Sequence, residues 1–489
     1  MSEIKFVSLS DMHFGQNSGI LTRLKTANDI QDPLNASPVL DSLCLCLRNL
    51  LESQNNKPTL ILNGDILEMA LTTTNQAAMV FERFLERVMP DDKDKQLFKD
   101  IIYVPGNHDH HLWETARETQ YVEFIRNSVD DFLDRPRHAT HLLINREIGK
   151  PPPSYFLENL IRRKRQDENW FDIRVAYPNL GLLSDDNSRC VLFHHGHFIE
   201  SIYHLMSDVM TMAFPDREQP ENVWDTEAEN FAWIDFFWSA MGRSGQAGKK
   251  VEAIYESLNH KKARNKLIDN ISKSMAEKIN IPVLNEWLEE KTIAVLLKYI
   301  AERIISGVKS QQEDVLNDDS KKGLRAWMEG PLLLQLRRDL EKLGASTGGT
   351  FPDKTTLIFG HTHKPFEEPY VFDNFPGWVN VYNTGGWVVE DFKPQKLHGA
   401  SMILIDSTLN VTSIRLYNET DNFEDYKVNV HQSPKADEEE KKFSLEIEKK
   451  IIDKDKNIKA EWKVFSQEVG KALLVRRKHL EARIERLTM

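Results

Sequence analysis

Five short clusters of carboxylate, amide and imidazole side chains are spaced along the chain in a pattern that can bind divalent metal ions. They are Asp11-Met-His13, Gly64-Asp65, Gly106-Asn-His-Asp109, His195-Gly-His197 and Gly360-His-Thr-His363. Such side chains suit borderline-to-hard divalent cations, and none of the five clusters contains a thiolate. The residue types therefore predict a metal site built from oxygen and nitrogen ligands.

Each cluster directly follows a short apolar run that is typical of a buried strand. The runs are rich in β-branched and aromatic residues and lie at Ile4 to Leu9, Thr59 to Leu62, Ile101 to Val104, Val191 to Phe193 and Thr356 to Phe359. In α/β proteins, ligands bind outside the carboxyl ends of the strands. We therefore expect the five loops to converge on one site.

The number of candidate ligands exceeds what one ion needs. Seven side chains qualify, namely Asp11, His13, Asp65, Asn107, His195, His361 and His363. If the Asp65 carboxylate bridges two ions, each ion receives four protein contacts and keeps an open position for water. Two ions about 3.5–4 Å apart can generate a hydroxide nucleophile and stabilise both oxygens of an in-line phosphoryl displacement.

The five clusters resemble the signature of the calcineurin-like metallophosphoesterase superfamily. That signature runs Asp-x-His, Gly-Asp, Gly-Asn-His-Asp/Glu, His and Gly-His-x-His, and all five blocks occur here in that order. The resemblance covers about residues 4 to 418, apart from an insertion. It implies an α/β fold of four layers, in which two stacked mixed sheets are flanked by helices.

The resemblance also implies a role for each residue. One metal would be held by Asp11, His13 and His363, the other by Asn107, His195 and His361, with Asp65 as the bridge. His108 would be the general acid, because an imidazole titrates near working pH and can protonate a leaving alkoxide. Asp109 is expected to orient His108 and raise its basicity, and Asn63 only to shape a turn.

Neighbouring histidines compete for the ligand role in two of the clusters. In the fourth cluster the family places its ligand directly before glycine, which favours His195 over His194 and His197. His194 is expected to face the opposite side of its strand. In the third cluster, His110 and His111 are expected to lie in a solvated loop or to support the ligands, not to bind metal.

The order of elements predicts a core domain that is interrupted once. Apolar residues recur at helical spacing in two segments between the first three strands, Pro38 to Leu51 and Gln76 to Val88. The opening third is therefore predicted to be β-α-β-α-β. We expect residues 1–198 to form the first part of the core and 351–420 the second part, where strand signals return. Residues 199–350 are predicted to be a helical insertion, acting as a lid or docking subdomain, and 421–489 a charged helical tail.

Three further features have both a structural and a functional interpretation. An aromatic cluster at helical spacing favours helix packing over an apolar substrate pocket. Two basic runs favour solvated faces over phosphate binding, and the segment from Asn383 to Trp387 resembles a sharp turn found near the site in many relatives. The aromatic residues are Trp224, Trp233, Phe236, Phe237 and Trp238, and the basic runs are Arg162 to Arg165 and Lys261 to Lys266.

Composition limits the classes of protein and partner. The chain has 489 residues, is 40% hydrophobic and carries a formal net charge of −12, which disfavours general nucleic-acid binding. Its three cysteines, Cys44, Cys46 and Cys190, are too few for a disulfide framework and fit a reducing compartment. The N-terminus enters a strand at once, and no run reaches 18 apolar residues, so we expect a cytoplasmic protein without a transmembrane segment.

The sequence therefore predicts a dinuclear phosphoesterase. It would cleave a phosphomonoester, phosphodiester or pyrophosphate bond by attack of a metal-bound hydroxide, using two divalent ions, manganese first, with iron, zinc or nickel as alternatives. The substrate would be a phosphorylated small molecule or a lipid-like compound. Alternatives are a nucleotide-sugar lipid pyrophosphatase, a nuclease, and a non-enzymatic interaction protein that binds an oligomeric or protein partner through the insertion or tail.

Overall fold

The computed structural model describes residues 2–25, 30–52, 54–129, 132–146, 149–163, 172–240, 314–347, 351–452 and 458–488. The strands are β1 Ile4–Leu9, β2 Leu24–Lys25, β3 Ile30–Gln31, β4 Thr59–Asn63, β5 Asp100–Val104, β6 Ile173–Val175, β7 Asn179–Leu183, β8 Arg189–His194, β9 Lys354–Phe359, β10 Phe366–Tyr370, β11 Val379–Asn383, β12 Gly399–Asp406, β13 Val411–Asn418 and β14 Asn429–His431. The α-helices are α1 Pro38–Leu51, α2 Thr74–Val88, α3 His111–Asn127, α4 Tyr155–Arg162, α5 Leu205–Ala213, α6 Val223–Trp233, α7 Asp318–Trp327, α8 Leu333–Thr347, α9 Glu438–Ile451 and α10 Ile458–Thr488.

Two mixed sheets form the centre of the molecule. The larger sheet has the strand order β14-β13-β12-β1-β4-β5-β6, with β1, β4, β5 and β6 parallel and the other pairs antiparallel. The smaller sheet has the order β10-β11-β9-β8-β7, in which β8, β9 and β11 are parallel. In both sheets the parallel strands direct their carboxyl ends to the same edge.

The sheets stack because alternate strand residues are apolar on both faces. In β1, Phe6 packs with Val191 and Phe193 of the other sheet, whereas Val7 and Leu9 point to the helices outside. α1, α2, α9 and α10 cover the larger sheet, and α7 and α8 are among the helices that cover the smaller one. The predicted four-layer α/β sandwich is confirmed.

Helix signals in the sequence agree closely with the structure. α1 has the predicted bounds, and the Ser37 side chain accepts a hydrogen bond from Leu40 N at its N-terminus. α2 begins two residues before the predicted helix. Between β8 and β9 the described residues form helices, α5 to α8 among them, so the extra helical region is also present.

The charged C-terminal segment packs against the core in its described parts. α9 contacts β13 and β14, and α10 lies along α1. α9 begins with a capping box in which Asp437 and Glu440 bond reciprocally to backbone amides. β14 extends the larger sheet beyond residue 420. The domain boundaries remain a prediction.

Candidate metal centre

The five predicted clusters meet at the carboxyl ends of strands from both sheets. β1, β4, β5, β8 and β9 each end directly before or within one cluster. All seven candidate ligands are buried. Their side chains form two adjacent groups, which contain Asp11, His13 and His363 in one and Asp65, Asn107, His195 and His361 in the other.

Five of these residues have a left-handed backbone that residues other than glycine rarely adopt. The angle φ is 50° at Asp11, 42° at His13, 52° at Asp65, 69° at His361 and 55° at His363. Each such conformation costs about 1–3 kcal/mol and persists only where the surrounding contacts hold it. The strain falls on three different loops, which marks this edge of the sheets as the functional one.

The first group has the spacing that one shared ion requires. His13 Nε2 lies 3.2 Å from His363 Nε2, and His363 Nε2 lies 3.4 Å from Asp11 Oδ1. Two nitrogens that bind one tetrahedral ion at about 2.1 Å are roughly 3.4 Å apart. The three side chains therefore fit a divalent cation without rearrangement of the loops.

The second group has the same spacing. His195 Nε2 lies 3.2 Å from Asp65 Oδ2 and 3.2 Å from Asn107 Oδ1. The ligand atoms of Asp65, His195 and His361 all lie within 4.8 Å of one another. This donor set, too, suits a borderline-to-hard divalent cation.

Asp65 lies between the two groups. Its Oδ2 is 3.2 Å from His195 Nε2 and 3.8 Å from His13 Nε2, and its Oδ1 accepts a hydrogen bond of 2.8 Å from His108 N. Burial raises the pKa of Asp65, but the charges of His195, His108 and His13 lower it well below its ordinary value. An ionised carboxylate with one oxygen facing both groups has the position of a bridging ligand.

Two glycines allow this close approach. A Cβ at Gly64 would overlap the His195 ring, and a Cβ at Gly106 would overlap the Asp65 carboxylate. Gly64 also has φ of 86°, in the region that side chains disfavour. The glycines in the sequence clusters are therefore required by packing beside the ligands.

Three of the candidate ligand histidines have an acceptor on the nitrogen that points away from the centre. The acceptors are a Glu68 oxygen at 2.9 Å for His13, the Asn63 carbonyl at 3.2 Å for His195, and a Glu390 oxygen for His363. In each case the acceptor faces Nδ1, which orients the ring and leaves Nε2 toward the other ligands. Burial raises the pKa of Glu390, but the His363 charge lowers it to about 2.

Glu68 also contacts the predicted acid. Its Oε1 lies 2.9 Å from His108 Nδ1, and it accepts hydrogen bonds from Ala70 N and Leu71 N. Burial raises the pKa of Glu68, but His108 and His13 lower it to about 2. Burial lowers the pKa of His108, but the charges of Glu68 and Asp65 raise it to about 9. Glu68 was not among the residues predicted from the sequence, although its position three residues after Asp65 was a usable signal.

The bonds of Asp109 differ from the expected role. The carboxylate accepts hydrogen bonds from the Tyr103 hydroxyl and from four backbone amides, those of Asp65, Ile66, Leu67 and Gly106. These contacts hold the Gly-Asp loop in shape. The contacts thus correct the expectation that Asp109 orients His108, because Glu68 is the carboxylate on His108 Nδ1.

The competing histidines lie outside both groups. The His194 ring packs 4.8 Å from Trp327 on the helix side of the smaller sheet, and burial lowers the pKa of His194 and of His197. His197 Nε2 lies 3.2 Å from the Tyr177 hydroxyl. His110 is buried against Glu227, with Nε2 2.9 Å from Oε1.

The aromatic cluster contributes to the core. Trp224, Trp233 and Trp238 pack in the cluster of apolar residues beside the smaller sheet, and Trp233 Nε1 donates to Ile202 O. Phe236 is exposed. The side chain of Phe237, the second half of the first basic run and the whole of Lys261 to Lys266 lie outside the described residues.

The comparison with protein families agrees with this architecture. Residues 4–221 match the family model described as calcineurin-like phosphoesterase, so the chain contains a domain of the calcineurin-like phosphoesterase family. The predicted resemblance is confirmed, and the family indicates metal-dependent hydrolysis of phosphoesters. The match includes the first four clusters, and His361 and His363 follow it in the chain. No curated protein matches the sequence.

The described part of the chain contains no helix that is both long and apolar enough to cross a membrane.

The three cysteines are free thiols, all buried. Burial raises the pKa of Cys190 to about 12, which keeps that thiol protonated and chemically inert.

Proposed function

We propose that the protein is a dinuclear metal-dependent phosphoesterase that cleaves a phosphomonoester, phosphodiester or pyrophosphate bond. The observation that carries this proposal is the position of Asp65. One of its carboxylate oxygens faces both groups of ligand atoms, and His108 bonds to its other oxygen through the backbone. Two cation sites that share one carboxylate beside a histidine suit phosphoryl transfer to water.

Asp11, His13, His363 and Asp65 would hold one ion, and Asp65, Asn107, His195 and His361 the other. Bound divalent ions at such a site lower the pKa of water and stabilise charge on phosphoryl oxygens. This arrangement also explains the left-handed backbone at five of these residues. Those φ angles place the ligand side chains at the centre.

The protein's own contribution to the chemistry is proton transfer by His108. Because Nδ1 faces Glu68, the imidazolium would donate from Nε2 to the leaving oxygen as the bond to phosphorus breaks. Glu68 stabilises the protonated ring through charge and a hydrogen bond. Asp109 keeps the loop between Asp65 and Leu67 in place for this geometry.

The alternatives receive less support from the described residues. A lid for an acyl chain would be favoured by exposed tryptophans in the insertion, but Trp238 is buried, and Trp224 and Trp233 are partly buried against the same apolar cluster. A nuclease would need a continuous basic track to the metals, and the formal net charge of −12 counts against it. A phosphorylated small molecule is the substrate class that we propose.

Manganese, with iron, zinc and nickel as alternatives, and a cytoplasmic location belong to the same proposal. Nitrogen and oxygen ligands accept all four metals, so the cellular supply decides among them. Protein partners bound through the insertion or the tail stay a prediction from the sequence.

The proposed function can be tested with manganese-loaded protein and a panel of phosphate esters. The panel contains para-nitrophenyl phosphate, its bis-ester, cyclic nucleotides, UDP-sugars and single-stranded DNA. We expect chelator-sensitive turnover of one bond class. The non-enzymatic interpretation would be favoured by a different result. In that case the protein binds two metals but turns over no panel member, and the His108→Gln variant has the same metal content as the wild type.

A further inference from the structure

His361 is oriented differently from the other ligand histidines. Its Nε2, not its Nδ1, faces a carboxylate, with Glu200 Oε2 at 3.4 Å. Both side chains are more than nine-tenths buried. Among the described residues no hydrogen bond reaches this nitrogen, so the Glu200 carboxylate is the nearby acceptor available to it.

Glu200 reaches this position because of the turn that follows β8. The backbone forms two short 3₁₀ segments, His197–Ile199 and Ser201–His204, with Glu200 between them. Glu200 N donates to His197 O at 3.0 Å, and the Tyr203 ring packs edge-on against His361 at 5.4 Å. The same turn thus presents a carboxylate and an aromatic ring to His361.

We propose that Glu200 is a positioning residue for the second metal site, an inference that rests on the proposed function. By accepting the Nε2 proton of His361, Glu200 fixes the tautomer in which Nδ1 carries the lone pair for the metal. Glu68, the Asn63 carbonyl and Glu390 orient the other three histidines in the same manner. Glu200 completes the set.

Direct ligation by Glu200 is the competing arrangement. The ligand atoms of Asp65, His195 and His361 lie within 4.8 Å of one another, and within the described part of the chain Glu200 is not a member of that group. Its contact is with His361 Nε2, from the turn that follows β8. This favours positioning over ligation.

The test measures metal content by equilibrium dialysis against Mn²⁺ followed by elemental analysis, with electron paramagnetic resonance to distinguish paired from single ions. Wild-type protein should bind two ions per chain. We expect Glu200→Ala to keep the first ion and to bind the second about 10–100-fold more weakly. Glu200→Gln should lose only a few-fold, because its amide oxygen still accepts the Nε2 proton.

Two controls complete the design. Glu218→Ala removes an exposed glutamate from the same insertion and should bind both ions like the wild type. His361→Ala should lose the second ion outright. If Glu200→Ala does not fold, as judged by circular dichroism, Glu200→Met, which fills the space without an acceptor, takes its place in the comparison with Glu200→Gln.

Each remaining outcome contradicts a different claim. Wild-type affinity for both ions in Glu200→Ala overturns the positioning role and leaves the proposed function intact. Equal loss of the second ion in the Ala and Gln variants assigns Glu200 as a direct ligand and overturns the inference. Fewer than two ions in the wild type overturns the proposed function and the inference together.

Discussion

At the scale of single residues, the centre combines the proposed metal ligands with carboxylates that contact and orient them. Glu68 illustrates the second kind, because its two oxygens contact His13 and His108 separately. A carboxylate shared between a ligand and an acid couples their positions. Residues with distinct roles should therefore respond differently to substitution.

His108→Gln and Asp65→Asn should separate acid catalysis from metal binding. Loss of the imidazole removes the proton donor, so turnover of a substrate with a poor leaving group should fall about 10²–10⁴-fold while metal content stays near that of the wild type. Asp65→Asn should lose metal because the shared carboxylate is gone. The measurements are steady-state rates and elemental analysis, and equal metal loss in both variants would remove the acid assignment.

At the scale of elements, the start of α3 is joined to α6 through a buried ion pair. His110 Nε2 contacts Glu227 Oε1 at 2.9 Å, and the Tyr177 hydroxyl donates to Glu227 Oε2 at 3.0 Å. Burial lowers the pKa of His110, but the Glu227 charge, with the hydrogen bonds that the ring donates to Asp235 and Glu227, raises it to about 9. The folded state therefore favours the protonated ring.

This pair predicts a pH dependence of stability. The pKa of His110 rises from 6.5 in the unfolded chain to about 9 in the folded one, so its contribution is complete below pH 6.5 and is lost as the pH rises through 9. The free energy of unfolding should fall by on the order of 3 kcal/mol over that window. Urea titrations of wild type, His110→Gln and Glu227→Gln should show the dependence flattened in both variants; an unchanged slope would contradict this role.

A second element-scale contact joins α7 to the turn that carries Glu200. Gly323 packs directly on the Ile199 carbonyl, and a Cβ there would overlap that oxygen. Gly323→Ala should destabilise the protein by about 1–3 kcal/mol, because either the helix or the turn must shift. Gly330→Ala is the matched control, since an added Cβ meets no atom within 4 Å. Thermal unfolding of both variants tests the contact, and equal midpoints would refute it.

At the scale of the whole molecule, the C-terminal helix α10 supports the loop from Asp11 to Thr22, which carries two of the proposed ligands. Arg476 in α10 is buried and donates to Gly19 O at 3.0 and 3.1 Å and to Thr22 O, across 457 positions of sequence. The loop is also joined to the backbone of Trp387. The Trp387 amide N–H donates to Asp11 O, and the Trp387 carbonyl accepts a hydrogen bond from Ile20 N. Phe465 of α10 packs edge-on against the Trp387 ring.

Arg476→Ala should therefore weaken both stability and metal binding at the first group. Loss of charged hydrogen bonds to buried carbonyls should cost roughly 2–4 kcal/mol. Arg476→Lys should recover only part of this, because an ammonium cannot reproduce the planar fork. Lys471→Ala, on an exposed part of the same helix, is the control. Urea titration and manganese affinity are the readouts, and wild-type values in the Ala variant would contradict the support role.

The amino-acid sequence by itself predicted the candidate ligands and located the strands before them. Metal binding restricts the types of side chain that can act as ligands, and the ends of strands restrict where those side chains occur in the sequence. Both signals are local and therefore strong. β1 and α1 have their predicted bounds. The short strands β6, β7 and β10 were missed, since the first has three residues, the second contains Gly181 and the third carries Pro369 and two glutamates.

Only the tertiary structure decided which side chains surround the ligands. Glu390 and Arg476 are far from the clusters in sequence, and Glu200, although it follows the fourth cluster closely, is far from its partner His361. None of the three belongs to a motif, so no local pattern identifies them. Asp109 lies inside a cluster, yet its role depends on the loop that packs against it. The physical reason is that side-chain type follows from local chemistry, whereas the partner of a buried charge is determined by the packing of elements distant in the chain.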